Sequence, residues 1–461
     1  MAATEYRSPT MGGTVPELLS FVVAAFVLSY AAVAEPRLLL VGSAVAGAVV
    51  TIVVSLLDIR WAWCVYFLAI CANGVQTTVA GFTLRPEYVA VPLFLAALYA
   101  HTRRHPETMS KVPVSPAIYV GAAGFVTVGL ASSLLFAPDS AASVRMAVQL
   151  LVAVLTVVPL LLVRLDIRFV VVSGTVILGS ISIVSIGYFL LDMSRRLSGP
   201  AFEYNVMGAL CVGWVGVLFY FAHDRASDGR RVVERRTIVW AIPIVLALIL
   251  TSTRAAWVAL AIIFLCWAVQ NFARHRITVM TAILGCVLAF AAVQEIYESV
   301  GDEDTFLWRL VHVIDTESGT GAYRIQIWNI AVVQMLERDW TAAIGTGFNS
   351  FPQFNPVDPT NVSAAYLSSM WLAVLYDTGF LGAAFFMVFV LGLFGSTKNM
   401  WRAAPLFVAL AVCTAVTSVI WFAFPWAFLA LTANHRAGRP ADPRPHRRKR
   451  SRRHRRALVQ S

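Results

Sequence analysis

Apolar positions in this chain come in long blocks, not in the alternation of a half-buried strand. Runs of mostly apolar residues lie at about 16 to 34, 38 to 57, 61 to 80, 86 to 101, 115 to 136, 145 to 165, 169 to 191, 201 to 222, 237 to 252, 254 to 272 and 277 to 295. A helix of about 20 such residues crosses a bilayer, so about eleven crossings are predicted before the first long polar stretch. That stretch, 296–363, is followed by a span ending near 396, a link with Lys398 and Arg402, and an apolar segment from about 404 to 432. Two short crossings are predicted in this last segment, broken near Pro425. The expected fold is all-α, a polytopic transmembrane helix bundle of about 12–14 spans with a large extracytoplasmic loop carrying amphipathic helices.

Within the loop, Ile325, Trp328, Val332 and Leu336 recur at helical spacing, with Gln326, Asn329, Gln334 and Glu337 on other faces. This predicts an amphipathic helix lying at the membrane surface, roofing a cavity or resting on lipid. The resulting division is a cytoplasmic N-terminus (1–15), a transmembrane bundle (16–295), an extracytoplasmic loop (296–363), C-terminal spans (364–434) and a basic, disordered cytoplasmic tail (435–461). No signal-peptide pattern precedes the first span, which is expected to be retained.

Composition agrees, because a chain that is 59% hydrophobic and 13% charged has too little polar surface to cover a soluble core of 461 residues. The formal net charge of +11 suggests nucleic acid until its placement is considered. Much of it lies in the tail, from His435 onward, which suits a topology anchor touching anionic lipid headgroups; no nucleic-acid partner is expected. With the N-terminus inside, the inner links collect Arg103, Arg104, Lys111, Arg164, Arg168, Arg225, Arg230, Arg231, Arg235, Arg236, Arg274 and Arg276, as the positive-inside rule requires. The long loop then falls outside. All six cysteines lie in apolar segments and read as small hydrophobes rather than as disulfides or metal ligands.

Candidate chemistry is sparse. Arg254, in Ser252-Thr253-Arg254-Ala255-Ala256-Trp257, interrupts an otherwise apolar run at the predicted outer end of two helices. It either faces a cavity or partner, or marks a turn and snorkels to the headgroups. Arg324 opens the amphipathic helix in the same compartment, and two guanidinium forks can clamp a pyrophosphate. Gly345 and Gly347, in Ile344-Gly345-Thr346-Gly347-Phe348-Asn349-Ser350, lack the strand context of a nucleotide loop and imply a tight loop with close backbone approach. Further loop candidates are His312, Asp315, Asp358 and Tyr366.

Taken in order, Ser-x-Arg-x-x-Trp, Arg-x-x-x-Trp opening a loop helix, Gly-x-Gly-Phe-Asn-Ser-Phe, and Leu372 through Asp377-Thr378-Gly379-Phe380-Leu381-Gly382 resemble the O-antigen ligase and O-antigen polymerase superfamily. Arg196-Leu197-Ser198-Gly199 followed by Asn205 also resembles that family's loop before a mid-chain helix. The resemblance implies a glycosyltransferase of the bacterial inner membrane acting outside the cytoplasm, without metal or nucleotide cofactor, on a glycan carried by a polyprenyl diphosphate. Its partners would be membrane lipids, the lipid-linked donor, a glycan or lipid acceptor, and envelope-biosynthesis proteins. Arg254 and Arg324 would hold the diphosphate as catalytic residues, and Asp377, at a position often acidic in the family, would be the third catalytic candidate and a place to which the base could have moved. Substrate-binding positions would fall on Arg196, Asn205, Gly345, Gly347, Asn349, Ser368 and Ser369. Family ligases commonly carry His-Asn where this chain has Ser368-Ser369, so the place of that general base is vacant or moved. Alternatives are a transporter or flippase for a lipid-linked glycan or amphipathic anion, and a noncatalytic glycan-lipid-binding relative.

Overall fold

The computed structural model describes residues 58–79, 82–110, 113–192, 197–225, 229–272, 276–277, 280–281, 319–337, 340–356 and 366–434. The described chain is an all-α bundle with one small hairpin. Its helices, numbered among the described residues, are α1 (Ile59–Cys71), α2 (Pro86–Arg104), α3 (Pro116–Leu135), α4 (Ser140–Leu155), α5 (Val157–Leu162), α6 (Ile167–Asp192), α7 (Tyr204–Phe221), α8 (Arg235–Leu250) and α9 (Arg254–Asn271). They continue as α10 (Gly319–Glu337), α11 (Thr341–Ile344), α12 (Phe351–Phe354), α13 (Met370–Gly395), α14 (Met400–Val416) and α15 (Ala423–Asn434). The strands β1 (Thr77–Val79) and β2 (Phe82–Leu84) pair antiparallel, with Thr78 opposite Thr83. Among the described residues, six stretches are long and apolar enough to cross a membrane: Pro116–Leu135, Ser140–Leu162, Ile167–Leu191, Tyr204–Phe221, Arg254–Asn271 and Met370–Gly395.

Local chemistry sets several helix starts. Asp139 accepts from Ala142 N at 2.8 Å, Ser369 from Leu372 N at 3.4 Å and Asn399 from Arg402 N at 3.2 Å. Each side chain satisfies an amide that the first helical turn leaves without a partner. Pro opens α2 and α3, where a missing N–H costs nothing.

Helix α7 is the hub, buried along nearly its whole length and packed against α8, α9, α14 and α15. A helix enclosed on all sides needs no polar face, which is why its sequence is apolar throughout. The closest pairing joins α3 to α13. A Cβ on Gly121 would come within 2.4 Å of Phe389 N, so glycine is what lets these two backbones meet. Without water to drive helices together, such close packing is the chief source of association.

The last apolar stretch does form two helices, but the break is earlier than expected. Backbone helicity ends at Val416, the chain runs irregular and buried through residues 417–422, and Pro425 sits inside the first turn of α15. Thr417 is extended at φ −144, ψ 126, and Pro425 stands where its lost N–H is tolerated rather than where it breaks a helix. The expected span at 61–80 is likewise shorter, because α1 stops at Cys71 and the hairpin follows.

The loop helix α10 exists, and it packs inward through a second apolar stripe that the spacing had not singled out. Ile327, Ala331 and Met335 are buried against Phe351, Leu367, Ala373 and Tyr376. Ile325, Val332 and Leu336 are exposed, Leu336 at 64%. Helical spacing alone fits both stripes, and it is Ile327, Ala331 and Met335 that pack on α13. Spans 16–34 and 38–57, nearly all of 277–295, and the basic tail lie outside the described residues.

Candidate functional site

The two ends of the bundle differ in their connections. At one end Arg60 meets Asp166 at 3.3 Å, Arg168 meets Glu234, and Asp224 lies 3.4 Å from Arg402 and 3.7 Å from Lys398. At the other end converge the hairpin, residues 197–203, the α8–α9 turn, the segment 340–356, Tyr366–Ser369 and residues 417–422. Nearly every residue singled out from the sequence belongs to this second end.

Its centre is a break in α13. Gly379 adopts φ 62, ψ −173 inside the helix, which frees the carbonyls of Tyr376 and Asp377 from their usual partners four residues on. The segment after α11 supplies replacements: Thr346 N donates to Tyr376 O at 3.0 Å and Gly347 N to Asp377 O at 2.9 Å. Ser132 Oγ, on α3, also donates to Asp377 O at 3.0 Å. A Cβ on Gly345 would lie 2.3 Å from Asp377 O, and one on Gly379 2.4 Å from the Ala343 carbonyl. Gly345 (φ 82) and Gly347 (φ 100) also occupy the left-handed half of backbone space. The close approach that the Gly-x-Gly spacing implies is therefore made to the broken helix.

Asp377 is drawn into the same joint. It is 4% exposed, and its Oδ2 accepts from Asn349 N at 2.9 Å. Asn349 itself stands at φ 51. Beside them is a narrow crevice lined by Asn349, Tyr366, Asp377, Ser418 and Trp421. The Ser418 hydroxyl is buried there without a hydrogen-bond partner. A larger cavity, about 300 Å³, opens at the ion-paired end among Tyr220, Asp224, Lys398 and Arg402 and shares no residue with this crevice.

Arg254 occupies the first position of α9. The turn before it is tight, with Ser252 at φ 52 and Ser252 N bonded to Ile249 O at 3.1 Å. Thr253 Oγ1 lies 3.3 Å from Tyr204 O and 3.4 Å from Asn205 Oδ1, which ties this turn to the start of α7. A cation in the first turn opposes the helix dipole, so the local fold does not ask for an arginine here. An anion would feel the guanidinium and the helix N-terminus together. Leu197 N donates to Leu250 O at 3.2 Å, so the chain just after Arg196 reaches the same turn, although Arg196 lies outside the described residues.

Arg324 stands half-buried in the first turns of α10. Its charge acts on Tyr366, whose hydroxyl donates to Glu203 Oε2 at 3.2 Å. Burial, then the Glu203 charge, pushes the Tyr366 hydroxyl above its ordinary range, with Arg324 opposing the shift. Glu203 Oε1 in turn accepts from Asn205 Nδ2 at 3.4 Å. A continuous series of contacts thus runs from the Arg254 turn through Asn205 and Glu203 to Tyr366 and the field of Arg324.

Glu203 was not singled out from the sequence. Its signal was a carboxylate at the edge of a span, two residues before Asn205. Ser369 is the α13 cap, while the neighbouring Ser368 hydroxyl is buried without a hydrogen-bond partner. His312, Asp315 and Asp358 lie outside the described residues. Among the described residues no group of three or more His, Cys, Asp or Glu could hold a metal ion.

Residues 238–387, from α8 to the middle of α13, match the family model described as O-Antigen ligase. No curated protein matches the chain.

Proposed function

We propose, on the premise that the chain is a member of the O-antigen ligase superfamily, that it transfers or polymerises a glycan carried by a polyprenyl diphosphate at the extracytoplasmic face of the bacterial inner membrane. A membrane role in joining glycans is the family's general property, and the many apolar helices make this a multi-pass membrane protein. Donor, face and residue roles are our reading. The observation that carries it is the convergence of the Arg254 turn and the Arg324 helix on the Glu203–Tyr366 contact.

The two guanidinium groups bind the diphosphate oxygens of the donor and counter the charge that develops on the leaving diphosphate as the anomeric bond breaks. Arg254 adds the N-terminal field of α9 to this. Ser132, Gly345, Gly347, Asn349 and Asp377 maintain the broken helix beside that site. Charge placement supports this face. Arg103, Arg104, Arg164, Arg168, Arg225, Arg230, Arg231, Arg235, Arg236, Lys398 and Arg402 accompany the ion-paired end, which the positive-inside rule assigns to the cytoplasm. The site end is then outside.

The test is the pool of lipid-linked glycan in cells lacking the protein, complemented by wild type, Arg254→Lys or Arg324→Lys. Accumulation of a polyprenyl diphosphate glycan outside, with loss of the longer or transferred product, is the expected result, and neither lysine variant restores that product because the planar fork is gone. A pool trapped on the cytoplasmic leaflet would replace this reading with transport. Unchanged pools would point instead to a noncatalytic binding role.

A further inference from the structure

Glycosyl transfer to a hydroxyl leaves a proton to be placed, and the histidine that family ligases carry is a serine here. Four carboxylates other than Glu203, with described side chains, stand at the site end. Asp139 caps α4, holding Ala142 N at 2.8 Å. Glu87 has no exposed side-chain surface, lies 3.6 Å from Arg85 and accepts from Ala423 N at 3.1 Å. Asp377 is buried and engaged by the Asn349 amide. Glu337 ends α10, about three and a half turns from Arg324 along that helix.

Glu203 differs from all four. It is partly exposed, immediately precedes the hub helix α7, and its two oxygens accept from Tyr366 OH at 3.2 Å and Asn205 Nδ2 at 3.4 Å. A carboxylate has about four lone-pair directions, so each oxygen retains one for a further donor. Tyr366 also lines the crevice beside Asp377 and Trp421, so the hydroxyl that holds the carboxylate stands at the edge of this crevice. The charged and titratable groups acting on this contact are Tyr366, Tyr204 and Arg324.

We infer that Glu203 is the proton acceptor of the transfer, positioned by Tyr366 and Asn205. This rests on the glycosyl-transfer reading above. In the step, the acceptor oxygen bonds to the anomeric carbon while the bond from that carbon to the phosphate oxygen breaks. The electron pair leaves with the lipid diphosphate, whose charge the arginines balance, and the hydroxyl proton passes to the Glu203 carboxylate. Tyr366 is a positioning residue: its hydroxyl fixes one carboxylate oxygen and leaves the other lone pairs to the acceptor.

The experiment uses membranes containing the full chain, lipid-linked glycan extracted from cells lacking it, and farnesyl diphosphate as a separate probe of the arginine clamp. Glu203→Gln is expected to lower product formation by about 10²- to 10⁴-fold while farnesyl diphosphate still binds as to wild type. Tyr366→Phe is expected to lower it by about tenfold and to alter the pH profile of turnover. Glu203→Ala should regain product on addition of formate, which a purely structural defect would not do. Wild-type turnover in Glu203→Gln would overturn the inference, as would loss of probe binding together with turnover and without formate rescue. If wild type itself forms no product from this glycan while binding the probe, the transfer reading fails first, and the role of Glu203 falls with it.

Discussion

The two ends of this bundle are built by different means. At the ion-paired end, side chains at helix termini hold neighbouring helices by charge: Arg60 with Asp166, Arg168 with Glu234, and Asp224 with Lys398 and Arg402. At the site end, the backbone does more of that work. Gly345, Gly347, Asn349 and Gly379 all have positive φ, and amides of one segment replace the lost partners of a broken helix. Charge at this end is instead half-buried, as with Arg254, Arg324 and Glu203. Ion pairs between long side chains yield easily to substitution, whereas a strained backbone joint tolerates little. The end proposed to hold the glycan is thus the one with fixed geometry.

The comparison breaks most sharply at Gly379. Gly379→Val adds atoms 2.4 Å from the Ala343 carbonyl and imposes a side chain at φ 62. A loss of about 2–6 kcal/mol is expected from overpacking and strain together, read as a collapse of the thermal unfolding temperature in detergent. A mild effect would mean that the joint is not rigid. Next is Gly121→Leu, which forces α3 from Phe389 on α13 and should cost about 1–3 kcal/mol by overpacking, measured in the same assay.

Asp377 separates holding a loop from moving a proton. Asp377→Asn keeps an oxygen for the Asn349 amide, so turnover should stay within about threefold of wild type, whereas Asp377→Ala should lose about 1–3 kcal/mol of stability. Loss of turnover in Asp377→Asn with normal stability would return the proton-transfer role to Asp377. The smallest effect is expected at the other end. Arg60→Ala removes a pair whose partners are 43% and 48% exposed and should change stability by about 0–1 kcal/mol without altering turnover.

These contrasts also explain what the sequence made legible. Long apolar runs announced the bundle, since a span must satisfy its own backbone and bury or face lipid along its length. The gathering of Arg254, Asn205, Gly345 and Asn349 at one end was readable from the order of spans. The face of α10 was not, because Ile327, Ala331 and Met335 satisfy the same period as Ile325, Val332 and Leu336. The helix break at Gly379 was hidden inside a continuous apolar run, so Gly345 and Gly347 suggested a close neighbour without revealing that it was α13. Glu203 escaped for a related reason: its meaning comes from Tyr366, 163 positions away in the chain.

The short final helix has a consequence for depth. Twelve residues of α15 rise about 18 Å, against a hydrocarbon layer of about 30 Å. Its inner end is tied to the carbonyl of Val163 at 2.8 Å, near the close of the α4–α5 span, so the shortfall falls at the other end. Residues 417–422 at that end are irregular in backbone and buried, so their polar groups are enclosed by protein rather than turned to lipid. The bundle therefore closes at that end with irregular chain in place of helix, and the crevice lined by Ser418 and Trp421 opens in that irregular part.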